Sequence, residues 1–399
     1  MKKNVLIVSA LKYKYYIEKE NSIIDKEKHN TFIIIDKKYA NDVPSSHYLE
    51  LFSVDINDSQ RVLELAKTLH DTYGISKVIS LSEKTMILSG LIRDYCNAKG
   101  LSSQEAENFR NKYNMKKIVK GNLIKAPDFT LMKNYSDVSK FHDKHKKTVI
   151  KPIYGMGSKE TYIIDTKNSL EKIYHEIEPN REEFLMEEFI EGEMYHCDSI
   201  VKNGEILLSS VSKYLNPTLE FNSTGYLASV MIDNEILKNK IKKFNKDILR
   251  SFNLRNGVTH LELFKTKDNE LVFCEIAARA GGAGVVPSID ISYSVNLLKA
   301  GTILEVGQEL PVIKFQNEYS GWIVFHPQKG KVLNSPKLED FNKSWIHTMK
   351  INIKEGQILE HAEFSTDNIA SFIISANTQN ELEKRIQWIK ENFKVTYDN

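Results

Sequence analysis

The sequence predicts a mixed α/β and α+β chain: an N-terminal open parallel sheet, a central antiparallel α+β region and a small C-terminal α+β unit. Three observations carry this. The first hundred residues alternate β-branched runs with amphipathic stretches, the pattern of β-α-β winding. The middle sets strand-like runs in pairs around turns, with one long amphipathic stretch at 235–251. After Pro311 come short runs at 323–325 and 371–375 and an amphipathic helix over 379–393.

In order, residues 5–8 (Val-Leu-Ile-Val) form a compact apolar run that predicts a buried parallel strand, and 31–35 repeats it, ending in Asp36 and Lys37. A third run spans 77–81, and 62–69 supplies an amphipathic helix between them. The first hundred residues are thus expected to form an open, Rossmann-like α/β sheet. Yet the turn after the first strand, Ser9-Ala10-Leu11-Lys12-Tyr13, contains no glycine, so the dinucleotide fingerprint is absent. Residues 102–119 predict one capped helix, with Glu105 three residues after Ser102 in capping-box spacing. Strands are then expected within 148–164, 184–201, 207–214, 258–264 and 271–276, with a helix over 169–177.

Composition bounds the function. At 399 residues and 41% hydrophobic, the chain holds two to three domains of about 150 residues each. Its 55 Lys+Arg against 53 Asp+Glu leave +2, which gives no support for nucleic acid as a partner. Cys96, Cys197 and Cys274 lie far apart without CxxC spacing, so neither a disulfide framework nor a zinc knuckle is expected, and a reducing cytoplasm fits. The apolar run near the N-terminus is broken by Ser9 and followed by Lys12 and Lys14, too short for a signal-peptide core or membrane span. No membrane partner is expected, and a homodimer is the default assembly.

Two stretches carry chemistry. Thr148-Val149-Ile150-Lys151-Pro152-Ile153-Tyr154-Gly155-Met156-Gly157-Ser158 is a strand that ends in a lysine and opens into a glycine loop. Glycines allow backbone N–H groups to approach phosphate oxygens, and the lysine adds a fixed charge. An ordinary turn after a strand is the plain alternative. The second is the hairpin around Asp268-Asn269. With those two residues as the loop, partners sum to 537, which sets Glu262 opposite Glu275. Facing carboxylates repel unless a cation lies between them, and their oxygens are hard ligands suited to Mg²⁺. Ala277 and Arg279 continue the face of Glu275, and Gly281-Gly282-Ala283-Gly284 offers close turns for an anion. In Leu185-Met186-Glu187-Glu188-Phe189-Ile190-Glu191-Gly192-Glu193, backbone groups could read a base and an acid could hold ribose. His196, His326, His347 and His361 show no ligand spacing and are expected at the surface or in packing.

Taken in order, Lys112, Lys151 with its glycine loop, the 187–190 segment, Glu262 and Glu275 resemble the ATP-grasp superfamily, and more narrowly its carboxylate–amine and L-amino acid ligases with a biotin-carboxylase-like architecture. The resemblance implies ATP and Mg²⁺, with Mn²⁺ as a substitute. It implies a preceding α/β domain over 1–105, an ATP-grasp domain of two α+β subdomains over 106–310, with a lid at about 125–188, and a C-terminal domain over 311–399. Lys112 and Lys151 would hold phosphates, Gly155, Gly157 and Ser158 would form the phosphate lid, and Glu187, Glu188, Phe189 and Ile190 the adenine linker. Glu193 would take the ribose, Glu262 and Glu275 the metal, and Arg279 would steady the transferring phosphate. The family's third metal ligand is an asparagine two residues after the second acid, a position held here by Ala277. The implied reaction activates a small carboxylate, such as an amino acid, as an acyl phosphate and joins it to an amine. The alternatives are a thiol-carrier or bicarbonate acceptor, or nucleotide binding without turnover. The stretch from Lys213 to Tyr226, interrupted by Pro217, is a candidate lid or acceptor loop.

Overall fold

The computed structural model describes residues 2–365 and 367–398; Met1, Thr366 and Asn399 lie outside the described residues. The N-terminal sheet has four parallel strands in the order Glu50–Val54, His29–Asp36, Lys3–Ser9, Ile75–Ile79. Residues 5–8 are fully buried, as a strand covered on both faces requires. Leu6 and Val8 share one core with Val62, Leu65 and Leu69 of helix Ser59–Tyr73. Val5 and Ile7 face Tyr13 and Tyr16 on the other side. The glycine-free turn is closed by side chains: the Ser9 hydroxyl accepts from Leu11 N at 3.0 Å and from the Tyr16 hydroxyl at 3.1 Å.

The 102–119 segment differs from the single helix expected. Helix Ser103–Asn108 carries the Ser102 and Glu105 capping box, and a second helix, Lys112–Gly121, starts afresh behind Asn111. The physical reason is a second N-cap: the Asn111 side chain accepts from Asn114 N at 3.0 Å, which rewards a new start over continuation.

A four-stranded sheet follows, ordered Phe129–Leu131, Phe184–Glu188, Thr148–Pro152, Tyr162–Ile164. Helices Tyr135–His145 and Lys167–Glu176 bury Val138, Leu170 and Tyr174 with Ile150 and Met186. The large sheet has eight strands, ordered Leu271–Ala277, Gly257–Lys265, Glu193–Lys202, Glu205–Tyr214, Tyr226–Met231, Tyr319–Phe325, Ala370–Ala376, Ile346–Ile351. Its pairings are antiparallel, and its last three strands come from beyond residue 311. Helix Glu235–Ser251 lays Ile241, Ile248 and Leu249 on one face. Helices Val285–Tyr293 and Leu297–Val306 cover the other. Close packing explains the glycines at 281–284. A Cβ on Gly284 would stand 2.2 Å from Trp322 Cβ, and one on Gly281 would stand 2.8 Å from His260 Nδ1. Among the described residues, no helix is long and apolar enough to cross a membrane.

Candidate active site

Between the four-stranded sheet and the near end of the large sheet lies a cavity of about 460 Å³. Lys112, Lys151, Gly155, Gly157, Ser158, Glu187, Glu188, Phe189, Ile190, Glu193, Glu262 and Glu275 all line it. Arg279 does not. The strand expected to carry it on ends at Ala277, and Arg279 lies beyond, its Nε 2.8 Å from Glu83 Oε2. Arg110 pairs with the same carboxylate. Burial works against a charged Glu83, but Arg279 and Arg110 reverse this and hold it below the ordinary carboxylate value.

The cavity's cationic floor is built on a buried acid. Glu187, in strand Phe184–Glu188, lies 3.0 Å from Lys151 Nζ and 2.6 Å from Lys116 Nζ. Lys116 also donates to the Cys274 carbonyl at 3.1 Å, tying the helix to the hairpin. Burial raises the pKa of Glu187, and the two ammonium groups more than reverse it, leaving the carboxylate charged. Lys116 is a residue that motif reading missed. The only signal was its position four residues after Lys112, one turn along the same helix face.

The two hairpin acids face each other by a route that differs from the one expected. The loop holds three residues, 267–269, because Thr266 N donates to Glu270 O at 3.0 Å and Lys265 pairs with Leu271. Alone, that loop would set Glu262 opposite Cys274 and turn Glu275 away. An irregularity between Glu262 and Leu263 skips Cys274, and Glu262 stands opposite Glu275 after all. The extra residue of the bulge offsets the extra residue of the loop. Burial pushes the Glu275 carboxyl up, but Lys112, at 3.3 Å, then Lys151 and Lys116 bring it down to about 2. Two facing carboxylates on one cavity wall, with oxygen donors alone, fit Mg²⁺.

The glycine loop is held from three sides. Lys112 Nζ donates to Gly155 O at 2.6 Å and Ser158 Oγ to Thr218 O at 3.4 Å. Ser365 N donates to Gly157 O at 3.0 Å, while Lys159 pairs with Glu363 at 3.0 Å and lies over the Phe364 ring. Asn216, Pro217, Thr218, Leu219 and Glu220 line the same cavity, so the stretch left open between lid and acceptor loop stands at its wall. Gly157 has φ +62° and Phe364 lies 3.4 Å from where its Cβ would be. Gly157→Ala, which costs about 1–2 kcal/mol of backbone strain in the closed loop, is therefore expected to raise the KM for ATP up to roughly tenfold. Steady-state kinetics at varied ATP checks this.

Glu193 is engaged rather than free: Lys213 lies at 2.6 Å, Lys265 at 2.8 Å and the Tyr195 hydroxyl at 3.0 Å. Those two side-chain hydrogen bonds from lysine lower its pKa to about 2. His196, expected at the surface or in packing, is buried and hydrogen-bonded within the large sheet.

The comparisons bear on the same stretch: residues 145–287 match the model of the ATP-grasp domain. Among curated relatives, an L-arginine-specific L-amino acid ligase of Bacillus subtilis is 25% identical over 326 residues, 79% of each chain. Among solved structures, an L-amino acid ligase from Bacillus licheniformis superposes with a TM-score of 0.80 at 18% identity, covering 100% of this chain and 99% of its own. An N5-carboxyaminoimidazole ribonucleotide synthetase from Thermotoga maritima follows the same fold with a TM-score of 0.70 at 15% identity, covering 99% of this chain and 100% of its own.

Proposed function

We propose that the protein is an ADP-forming, ATP-dependent carboxylate–amine ligase whose acid is an L-amino acid. The observation that carries this is the convergence, in one cavity, of two lysines, a glycine loop and two facing glutamates drawn from separate elements. The relative that is named an L-arginine-specific L-amino acid ligase supports the substrate class. We take the division at about 105 and 310, with the lid over 125–188, as the working domain plan.

In this reading Lys112, Lys151 and the N–H groups of the glycine loop cradle the phosphates, the 187–190 segment reads the base, and Glu193 reaches the ribose in competition with its lysines. Glu262 and Glu275 hold Mg²⁺, which when bound offsets phosphate charge. Arg279, beside these acids and anchored by Glu83, adds positive charge near the transferring group. The carboxylate oxygen of the acid attacks the γ-phosphorus and ADP leaves. The amine nitrogen then attacks the acyl carbon, loses a proton and displaces phosphate. The chain's part is positioning and charge compensation, and no nucleophilic side chain is required.

The products test this. Turnover with the true acid and amine should release ADP and phosphate in equal amounts, and hydroxylamine should trap the acyl group as a hydroxamate. AMP with pyrophosphate as the main products would overturn it. An acceptor scan with amines, a carrier thiol and bicarbonate identifies the nucleophile, amines being the expected substrates.

A further inference from the structure

Behind Glu262 lies a polar chain that the phosphate chemistry does not use. In the large sheet, His196 stands opposite Glu262 and Asp198 opposite His260, so the four side chains form a square on one face. Asp198 is fully buried, and both its oxygens are occupied: Oδ2 accepts from His196 Nδ1 at 2.6 Å and Oδ1 from His260 Nδ1 at 2.8 Å. Held at Nδ1 by Asp198, the His260 ring sets Nε2 3.5 Å from Glu262 Oε1, and in its imidazolium form donates Nε2–H to that oxygen. The Tyr214 hydroxyl donates to the same Oε1 at 2.8 Å. At the far end, His196 Nε2 lies 2.8 Å from Ser229 Oγ.

The three ligating side chains His196, Asp198 and His260 are close enough to suggest a metal. Both Nδ1 atoms are spent on the aspartate, so the cluster reads as a hydrogen-bonded chain instead. Such a chain is a poor source of stability, because burying a carboxylate and two imidazoles costs desolvation that apolar packing would avoid. Its contacts on Glu262 all fall on one oxygen. A carboxylate used as a metal ligand gains from having its other oxygen fixed, since a free rotor must be ordered each time the ion binds.

We propose that Tyr214, together with Asp198 acting through His260, are positioning residues that fix Glu262 through Oε1 and leave Oε2 as the metal ligand. The assignment rests on Glu262 being a metal acid of the proposed ligase. Tyr214 lines the cavity and is buried, packed against His196 and Trp322, so its hydroxyl is held in place. Asp198 orients both rings by accepting an N–H from each; an asparagine there cannot accept from both.

The test uses Mn²⁺ as the probe, titrated into the ADP-bound full chain, with the free ion followed by electron paramagnetic resonance. Tyr214→Phe and Asp198→Asn should each weaken Mn²⁺ binding by roughly tenfold or more, the scale of outer-shell losses at metal sites, while ADP affinity measured without metal stays unchanged. A lower melting temperature with wild-type Mn²⁺ affinity is what a purely structural role gives, and in either folded variant it overturns the role of that residue. If Asp198→Asn fails to fold, Tyr214→Phe decides, since it keeps the ring and removes one hydroxyl. Glu262→Gln separates the two levels. Unchanged Mn²⁺ binding in that variant defeats the metal site and this inference together, whereas weakened binding there beside wild-type binding in Tyr214→Phe and Asp198→Asn defeats this inference alone.

Discussion

Lys151→Met is expected to lower kcat/KM by roughly 10²- to 10³-fold, the usual effect of deleting one preorganised charge from a site where charge develops. The ammonium stands at the cavity wall, largely buried, and Glu187 with the neighbouring acids raises its pKa despite burial, so it is a permanent cation. The fold should survive the change. Breaking a buried ion pair costs about 3–5 kcal/mol when the partner is left alone. Here Glu187 keeps Lys116 at 2.6 Å, so the loss is smaller. Kinetics paired with circular dichroism and a thermal melt checks both parts, and near-wild-type turnover by the folded variant would remove Lys151 from the site. Arg279→Met is expected to lose turnover as well, with Arg110 left to neutralise Glu83.

Glu275→Gln should give the second large effect: a sharp rise in the Mg²⁺ concentration needed for half-maximal activity, on the order of 10- to 100-fold. Glu275 is pulled down to about 2 by three lysines, so it is ionised throughout the neutral range. An amide there keeps the shape and removes the charge, leaving Glu262 as the single strong ligand. Glu262→Gln is expected to act in the same direction, to a similar or smaller extent. Magnesium titration of activity is the measurement, and unchanged dependence in both variants would show that the cross-strand pair does not hold the ion.

The ordered set of charged residues and glycines was readable because each member lies in or beside a strand or helix marked by its own local pattern. Lys151 closes a β-branched run, Gly155 and Gly157 follow it, and Glu262 and Glu275 alternate with buried neighbours. The parallel N-terminal sheet was equally legible, since doubly covered strands are nearly continuous apolar runs. Breaks were harder to see. The stop at Phe109 and the restart behind Asn111 depend on a second side-chain cap inside one polar stretch, and the bulge at Cys274 has no composition signature at all.

By itself, then, the sequence determined the fold class and the candidate nucleotide residues, properties that live within a few residues of a motif or in the period of a strand, whereas the facing of Glu262 and Glu275 needed a bulge that only the assembled sheet supplies. Only the tertiary structure decided which charges meet. It placed Lys116 under Glu187, drew Glu83 between Arg110 and Arg279, and brought Phe364 and Ser365 onto the glycine loop. It also joined Asp198 to Glu262 through His260. Those partners are tens to hundreds of residues apart, and an ion pair or hydrogen bond acts over a few ångströms, so nothing in local pattern can specify it before the sheets are assembled.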